Sequence, residues 1–302
     1  MGPLIVSRLL SSLPLVALAC LALFVTAGCE DDSPLPPADP LPDTAAGRLP
    51  NSASFLMDGA DIRIMNGLSL QLSDEDFTEQ VGWCVDNRDD TIALYVTNRG
   101  DGTPPVTSFY VDDEYGGTVD PAKVAAMRAR IEECRANELK VHLWVWSDDS
   151  GFGGVDDETH RRHLDHCIEH FDDLADVWCT GLELDEVFGD KGRVTGLTAA
   201  LDERTDRPVA VHFTRLDRWD WAVESGADIW FGQYGFGHSP DKIRDDTFRA
   251  LKRLDGRMEF WAFEYHLSSR SAEAKALGDA AISVPGCMGT GNGRNRRDST
   301  TE

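Results

Sequence analysis

Two stretches of the chain end an apolar run in carboxylates: Gly181-Leu182-Glu183-Leu184-Asp185-Glu186 and Phe260-Trp261-Ala262-Phe263-Glu264-Tyr265. An acid at such a place needs a partner or a raised pKa, because burying it ionised and alone is strongly unfavourable. Two such carboxyls facing one opening can divide the roles of nucleophile and general acid/base. Glu264, Glu186, Asp185 and Glu183 are therefore the candidate catalytic residues. Side chains of a strand alternate between its two faces. That alternation puts Glu183 and Asp185 inward with Leu182 and Leu184 outward, and leaves Glu186 on the exit loop. It likewise puts Phe260, Ala262 and Glu264 inward, with Trp261 and Phe263 against an outer layer.

Other apolar runs end in polar or aromatic groups that would gather at the same level. Trp146, Asp148, His212, Gln233, Tyr234, Tyr265 and Asn292 are the candidate binding residues, with Asn98, Asp149, Thr214 and Phe236 beside them. Rings such as Trp146, Tyr234 and Tyr265 can stack on the flat apolar face of a ligand. A purely structural role for the acids would pair them with Arg63, Arg193 or Arg215. No CxxC or Cys/His spacing of a metal site occurs, and neither metal nor cofactor is assigned. A set of Glu183, His212, Gln233 and Glu264 around Mg or Mn, in a metal-dependent isomerase or lyase, is the alternative chemistry.

The elements that must position these residues alternate. Apolar, β-branched and aromatic runs at 61–65, 92–97, 141–146, 177–185, 209–213, 229–234, 258–264 and 282–288 read as eight strands. Helical spacing occupies 74–85, 121–136, 158–175, 194–203, 219–224, 240–254 and 272–280. Ser73 with Asp76, Asp120 before Pro121, and Ser239 before Pro240 mark helix starts. Alternation of this kind predicts parallel strands with right-handed crossovers, an α/β fold closing as a single-domain (β/α)8 TIM barrel. An open doubly wound sheet is disfavoured, since no GxGxxG follows the first strand. The least certain element is that first strand, because Asp58-Gly59 could turn a hairpin. The Gly- and Pro-rich connection 99–119 should cross the active face as a lid or subsite wall.

The barrel is expected over 51–293, between a Pro- and Asp-rich tether at 29–50 and a polar tail at 294–302. Residues 1–28 read as a signal peptide: Arg8 precedes an apolar run from Leu9 to Val25. With a formal charge of −24 and no basic stripe, nucleic acid is excluded as a partner. The chain itself is expected to be a monomer. Five cysteines follow Cys29, an odd number, and Cys84 with Cys134 is the one pairing that suggests itself.

Three resemblances gather on these residues. Thr26-Ala27-Gly28-Cys29 resembles the lipobox of bacterial lipoproteins, which implies lipidation of Cys29 and display on the cell envelope, facing the periplasm or the surface. Asp185-Glu186 and Glu264 resemble the carboxylates of barrel glycosidases whose acid/base follows strand four and whose nucleophile ends strand seven. His212 and Tyr234 stand where several members hold a His and a Tyr. Asp replaces that clan's usual Asn, and Met288-Gly289 stands where a Trp commonly ends the last strand. Ser150-Gly151-Phe152-Gly153-Gly154 with Gly181–Asp185 is similar to chitinase-type motifs, and Gly181 to Asp185 also to the Gly-x-x-x-Asp strand of polygalactosaminidase-type barrels. The resemblance implies an O-glycosyl hydrolase that cleaves a poly- or oligosaccharide with two carboxyls. The alternative is a barrel that binds polysaccharide without turning it over.

Overall fold

The computed structural model describes residues 60–65, 73–86, 90–97, 109–111, 114–147, 152–235, 237–264 and 272–292, without the side chains of 60–65, Trp83 and Asn292. The expected signal peptide, Cys29, tether and tail lie outside these residues, as do Asn98, Asp148, Asp149, Phe236 and Tyr265.

The described residues contain eight strands: β1 (Ala60–Met65), β2 (Thr91–Tyr95), β3 (Lys140–Trp146), β4 (Val177–Gly181), β5 (Val209–Phe213), β6 (Ile229–Gln233), β7 (Glu259–Phe263) and β8 (Cys287–Asn292). They close in sequence order into one all-parallel barrel, with β1 bonded to both β2 and β8. The expected eightfold α/β barrel is therefore found. β1 pairs in parallel with its neighbours, so the strand numbers stand; Asp58 and Gly59, the suggested turn, lie outside the described residues. Helices α1 (Asp74–Asp86), α2 (Pro121–Ala136), α3 (Asp157–Phe171), α4 (Leu184–Val187), α5 (Lys191–Asp202), α6 (Trp219–Ser225), α7 (Pro240–Leu254) and α8 (Ala272–Ile282) lie between them. None of the described helices is long and apolar enough to cross a membrane.

The helix starts form for local reasons. Ser73 Oγ accepts from the Asp76 N–H and donates to the Asp76 carboxylate. Asp120 accepts from the Ala122 N–H ahead of α2, and Ser239 from the Lys242 N–H ahead of α7, each with a proline in the first helical position. Burial at Ile243, Thr247, Ala250 and Leu254 draws the helical period of α7 against the barrel.

The core has two layers. An outer cluster joins helix residues to Ile92, Leu94, Leu143, Val145, Trp178, Val211, Trp230, Phe260 and Ala262. An inner cluster fills the lumen with Ala93, Tyr95, Trp144, Val177, Cys179, Ala210, Phe231, Trp261 and Phe263. The expected facing of β7 is thus inverted: Trp261 and Phe263 point inward, Phe260 and Ala262 outward. The β7–β8 register shifts between Phe260 and Trp261. Gly289 makes the inversion possible, since a Cβ there would lie 2.2 Å from the Trp261 ring. Trp144 and Phe231 stack at 5.5 Å and form an aromatic floor beneath the strand ends.

Cys84, Cys134, Cys167, Cys179 and Cys287 are all buried and none is joined in a disulfide, which corrects the suggested Cys84–Cys134 bridge. Burial pushes the Cys134 thiol well up, and a nearby Cys84 adds to that.

Candidate functional site

Strand β4 ends at Gly181, four residues before the expected limit. A Cβ at Gly181 would stand 2.7 Å from the Trp146 carbonyl and 2.9 Å from Leu184, so only glycine lets β3 and the start of α4 approach this closely. The Leu182 N–H then donates to the Trp146 carbonyl at 3.0 Å, and Glu183 turns the chain at φ 54° into α4. The alternating Leu/acid pattern of 182–185 therefore belongs to a turn and a short helix, and Leu182 packs into the inner cluster. Glu264 follows β7 at φ 48°. Continued alternation would have sent its side chain outward with Phe260 and Ala262, whereas Glu264 Oε2 lies 3.7 Å from His212 Nε2, an imidazole of the lumen. Its N–H donates to the Gly291 carbonyl at 2.8 Å and pins the turn to β8.

The described non-glycine residues with positive φ are Glu138, Glu183, Asp255 and Glu264. Glu138 and Asp255 end α2 and α7, an ordinary place for the left-handed conformation. The other two follow β4 and β7 and are both candidate carboxylates. Holding a side-chain-bearing residue there costs about 1–2 kcal/mol, and such strain collects at functional sites.

His212 joins them. The Glu183 N–H donates to His212 Nδ1 at 3.1 Å. An accepting Nδ1 places the ring proton on Nε2, the atom that faces Glu264. The ring is fully buried between Trp144 and Phe263, at centroid distances of 5.5 and 5.1 Å. Burial pushes its pKa down to about 3, so it is neutral at ordinary pH. Gln233, at the end of β6, gives its Nε2–H to Glu183 Oε1 at 3.1 Å. Glu183, His212, Gln233 and Glu264 thus meet at the C-terminal ends of β4 to β7. No group of three or more His, Cys, Asp or Glu side chains among the described residues is arranged to hold a metal ion.

The remaining candidates are spent elsewhere. Asp185 is buried, its two oxygens accepting from the Thr214 N–H and Oγ1–H at 3.0 Å each, with Arg218 Nε 4.0 Å away. Burial raises its pKa, the Thr214 bonds oppose that, and Glu186 adds to the rise. It ties the exit of β4 to that of β5 and is turned from the cluster. Glu186 is exposed on α4. Tyr234 lies under α7, its hydroxyl 2.6 Å from Thr247 Oγ1, and does not reach Glu264 as a nucleophile-orienting tyrosine would. Trp146 is fully buried, not a stacking platform. Its Nε1–H donates to Tyr115, and its ring packs on His160 and Phe188. Asn292 ends β8, while Asp148 and Tyr265 lie outside the described residues. Arg193 pairs with Asp157 and Arg215 with Asp217, so neither neutralises the site acids.

Sequence reasoning did not find the network around Trp146. Trp146 donates to Tyr115 Oη, which leaves that hydroxyl to donate to His160 Nδ1 at 2.9 Å, and His160 Nε2–H to donate to the Phe152 carbonyl at 3.1 Å. Tyr110 Oη lies 2.7 Å from His163 Nδ1 and 3.2 Å from His166 Nδ1. The histidines recurring every third or fourth residue along α3 were the available signal.

The chain matches no protein-family profile, and comparison with curated proteins finds no relative. Its fold is similar to that of many solved structures. A hyperthermophilic endo-β-1,4-glucanase in complex with substrate aligns at a TM-score of 0.61 and 12% identity, over 81% of this chain and 94% of that one. A β-glycosidase aligns at 0.55 and 11%, over 72% and 75%. The GH113 β-mannanase of Alicyclobacillus acidocaldarius, in complex with ManMIm, aligns at 0.53 and 14%, over 78% and 85%. At these identities the likeness is one of fold: a glycosidase-like barrel.

Proposed function

We propose that the chain is a glycoside hydrolase in which Glu264 is the nucleophile and Glu183 the general acid and base. One observation carries this reading: the two strand-end glutamates held in left-handed backbone both stand against His212, Glu183 with its N–H on Nδ1 and Glu264 with Oε2 3.7 Å from Nε2. Glu264 attacks the anomeric carbon while the Glu183 carboxyl gives its proton to the leaving oxygen. Glu183 then takes a proton from the water that releases the glycosyl-enzyme, so both carboxyls return to their starting states. The acid role moves from Glu186 to Glu183 because Glu183 carries the contacts to Gln233 and His212.

The test is kinetic, on a glycan the chain cleaves. Glu264→Gln and Glu183→Gln should each lower kcat by at least about 10²–10³-fold, the scale of a lost acid/base group or nucleophile. Glu186→Gln should stay within a few-fold of the parent. An active Glu264→Gln variant sinks the assignment, and a loss in Glu186→Gln equal to that in Glu183→Gln returns the acid role to Glu186.

The apolar run from Leu9 to Val25 and the Thr26-Ala27-Gly28-Cys29 stretch support export and lipid attachment at Cys29 of a monomer that meets carbohydrate at the cell envelope. On this reading Cys29→Ser moves the chain from the membrane fraction of its bacterium to the soluble one. An unchanged distribution contradicts it.

A further inference from the structure

Glu183 does more than present a carboxyl: it sets the polarity of two neighbouring side chains. Its N–H occupies His212 Nδ1, so Nε2 is a fixed donor. Its Oε1 occupies Gln233 Nε2, so the Gln233 carbonyl is left as a fixed acceptor. With the acid proton of Glu183 on Oε2, turning that amide over would set two oxygens against each other. Neither remaining atom, His212 Nε2 nor Gln233 Oε1, has a hydrogen-bonding partner among the described protein groups. Glu264 Oε2, at 3.7 Å from His212 Nε2, is beyond hydrogen-bond reach. The two residues share one wall. The β5–β6 register pairs His212 with Phe231, and Gln233 is the next inward residue on β6 toward the mouth.

We infer that Gln233 and His212 together read a neutral sugar hydroxyl, which makes them specificity-determining residues for an uncharged glycan. A hydroxyl both donates and accepts, and so satisfies the Gln233 carbonyl and the His212 Nε2–H at once. A carboxylate, as in a uronic acid, would set its oxygen against Gln233 Oε1 beside two glutamates. An ammonium, as in a free amino sugar, has no lone pair for His212 Nε2–H. A buried polar atom left unmatched is what makes a site built for a hydroxyl reject its analogues. This rests on the glycosidase reading and adds to it the chemical class of the substrate.

The experiment measures binding, so it does not depend on turnover. Full-length protein carrying Glu264→Gln is titrated against neutral, uronic-acid and amino-sugar oligosaccharides of both α and β linkage. At least one neutral glycan should bind, with the charged counterparts of the same linkage at least tenfold weaker. Gln233→Met, which keeps the volume and removes the carbonyl, should weaken neutral binding about tenfold with the melting temperature retained. Gln233→Asn, which withdraws the amide by one methylene, should do the same if Gln233→Met fails to fold. Charged glycans that bind as well as neutral ones, or Gln233 variants that bind neutral glycans unchanged, overturn the inference and leave the glycosidase reading standing. Failure of that variant to bind any glycan, with the unsubstituted protein cleaving none of them, overturns both.

Discussion

A glutamate in left-handed backbone gives up stability that glycine at the same place would keep, because a Cβ crowds the carbonyl there. At Glu183 that conformation directs the N–H to His212 and the side chain to Gln233, two contacts an extended residue after Gly181 could not combine. Replacing Glu183 by Gly keeps the backbone and its N–H but deletes the carboxyl. It should therefore stabilise the fold by about 1 kcal/mol while turnover is lost. Urea unfolding of the two proteins side by side decides this. A variant clearly less stable than the parent would mean that the Gln233 contact outweighs the backbone strain. Activity kept at the parental level would remove Glu183 from the chemistry.

Elements that announce themselves by periodicity were legible from the chain, and those that depend on a close approach were not. β2 to β7, apart from the end of β4, and the caps at Ser73, Asp120 and Ser239 follow the apolar and capping pattern to within a residue or two. The end of β4 was obscured because Leu182 and Leu184 alternate with acids as a strand would, although Gly181 and Glu183 have already turned the chain. β8 begins at Cys287, later than the apolar run suggested, because Ile282 still belongs to α8, and it runs on to Asn292 through Gly289, which is there to admit the Trp261 ring and not for strand propensity. Trp146 was misread by the same route: an aromatic at a strand end is a binding platform only where its ring is free, and here it is packed. The relay from Trp146 through Tyr115 to His160 joins β3, the 114–120 segment and α3 by hydrogen bonds whose directions are all determined. Tyr115→Phe leaves the indole N–H and His160 Nδ1 unmatched together, and each such buried group costs about 1–3 kcal/mol. A loss of about 2–4 kcal/mol in urea unfolding is expected. A change below about 0.5 kcal/mol would show that the relay does not hold these elements together.

Across the whole barrel, histidine is used as a neutral buried polar ring. His142 and His212 stand in the lumen, and His160 and His163 lie between the sheet and α3. Burial lowers them from the ordinary 6.5 to about 3 for His142, His163 and His212 and to about 4 for His160. Their folded pKa values lie below those of the unfolded chain, so stability is full above about pH 6.5 and is lost as pH falls, down to the folded values. Over that window the unfolded state takes up protons that the folded state refuses, at about 1.4 kcal/mol per pH unit for each histidine. Two units of acidification acting on four such rings amount to roughly 10 kcal/mol, comparable with the whole stability of an ordinary domain of about 5–15 kcal/mol. Asp185 and Asp228 have raised values, chiefly through burial, and act in the opposite sense, but they are two carboxyls against four rings. Urea midpoints measured from pH 7.5 to 4.5 should therefore fall steeply below pH 6.5. His142 stacks on Phe231 and meets no hydrogen-bonding partner among the described residues, so His142→Leu replaces it with an apolar group of similar volume. That variant should reduce the slope by about 1.4 kcal/mol per pH unit, one proton's worth. A parent protein equally stable at pH 7.5 and 4.5 would mean that these rings do not remain neutral inside the folded barrel.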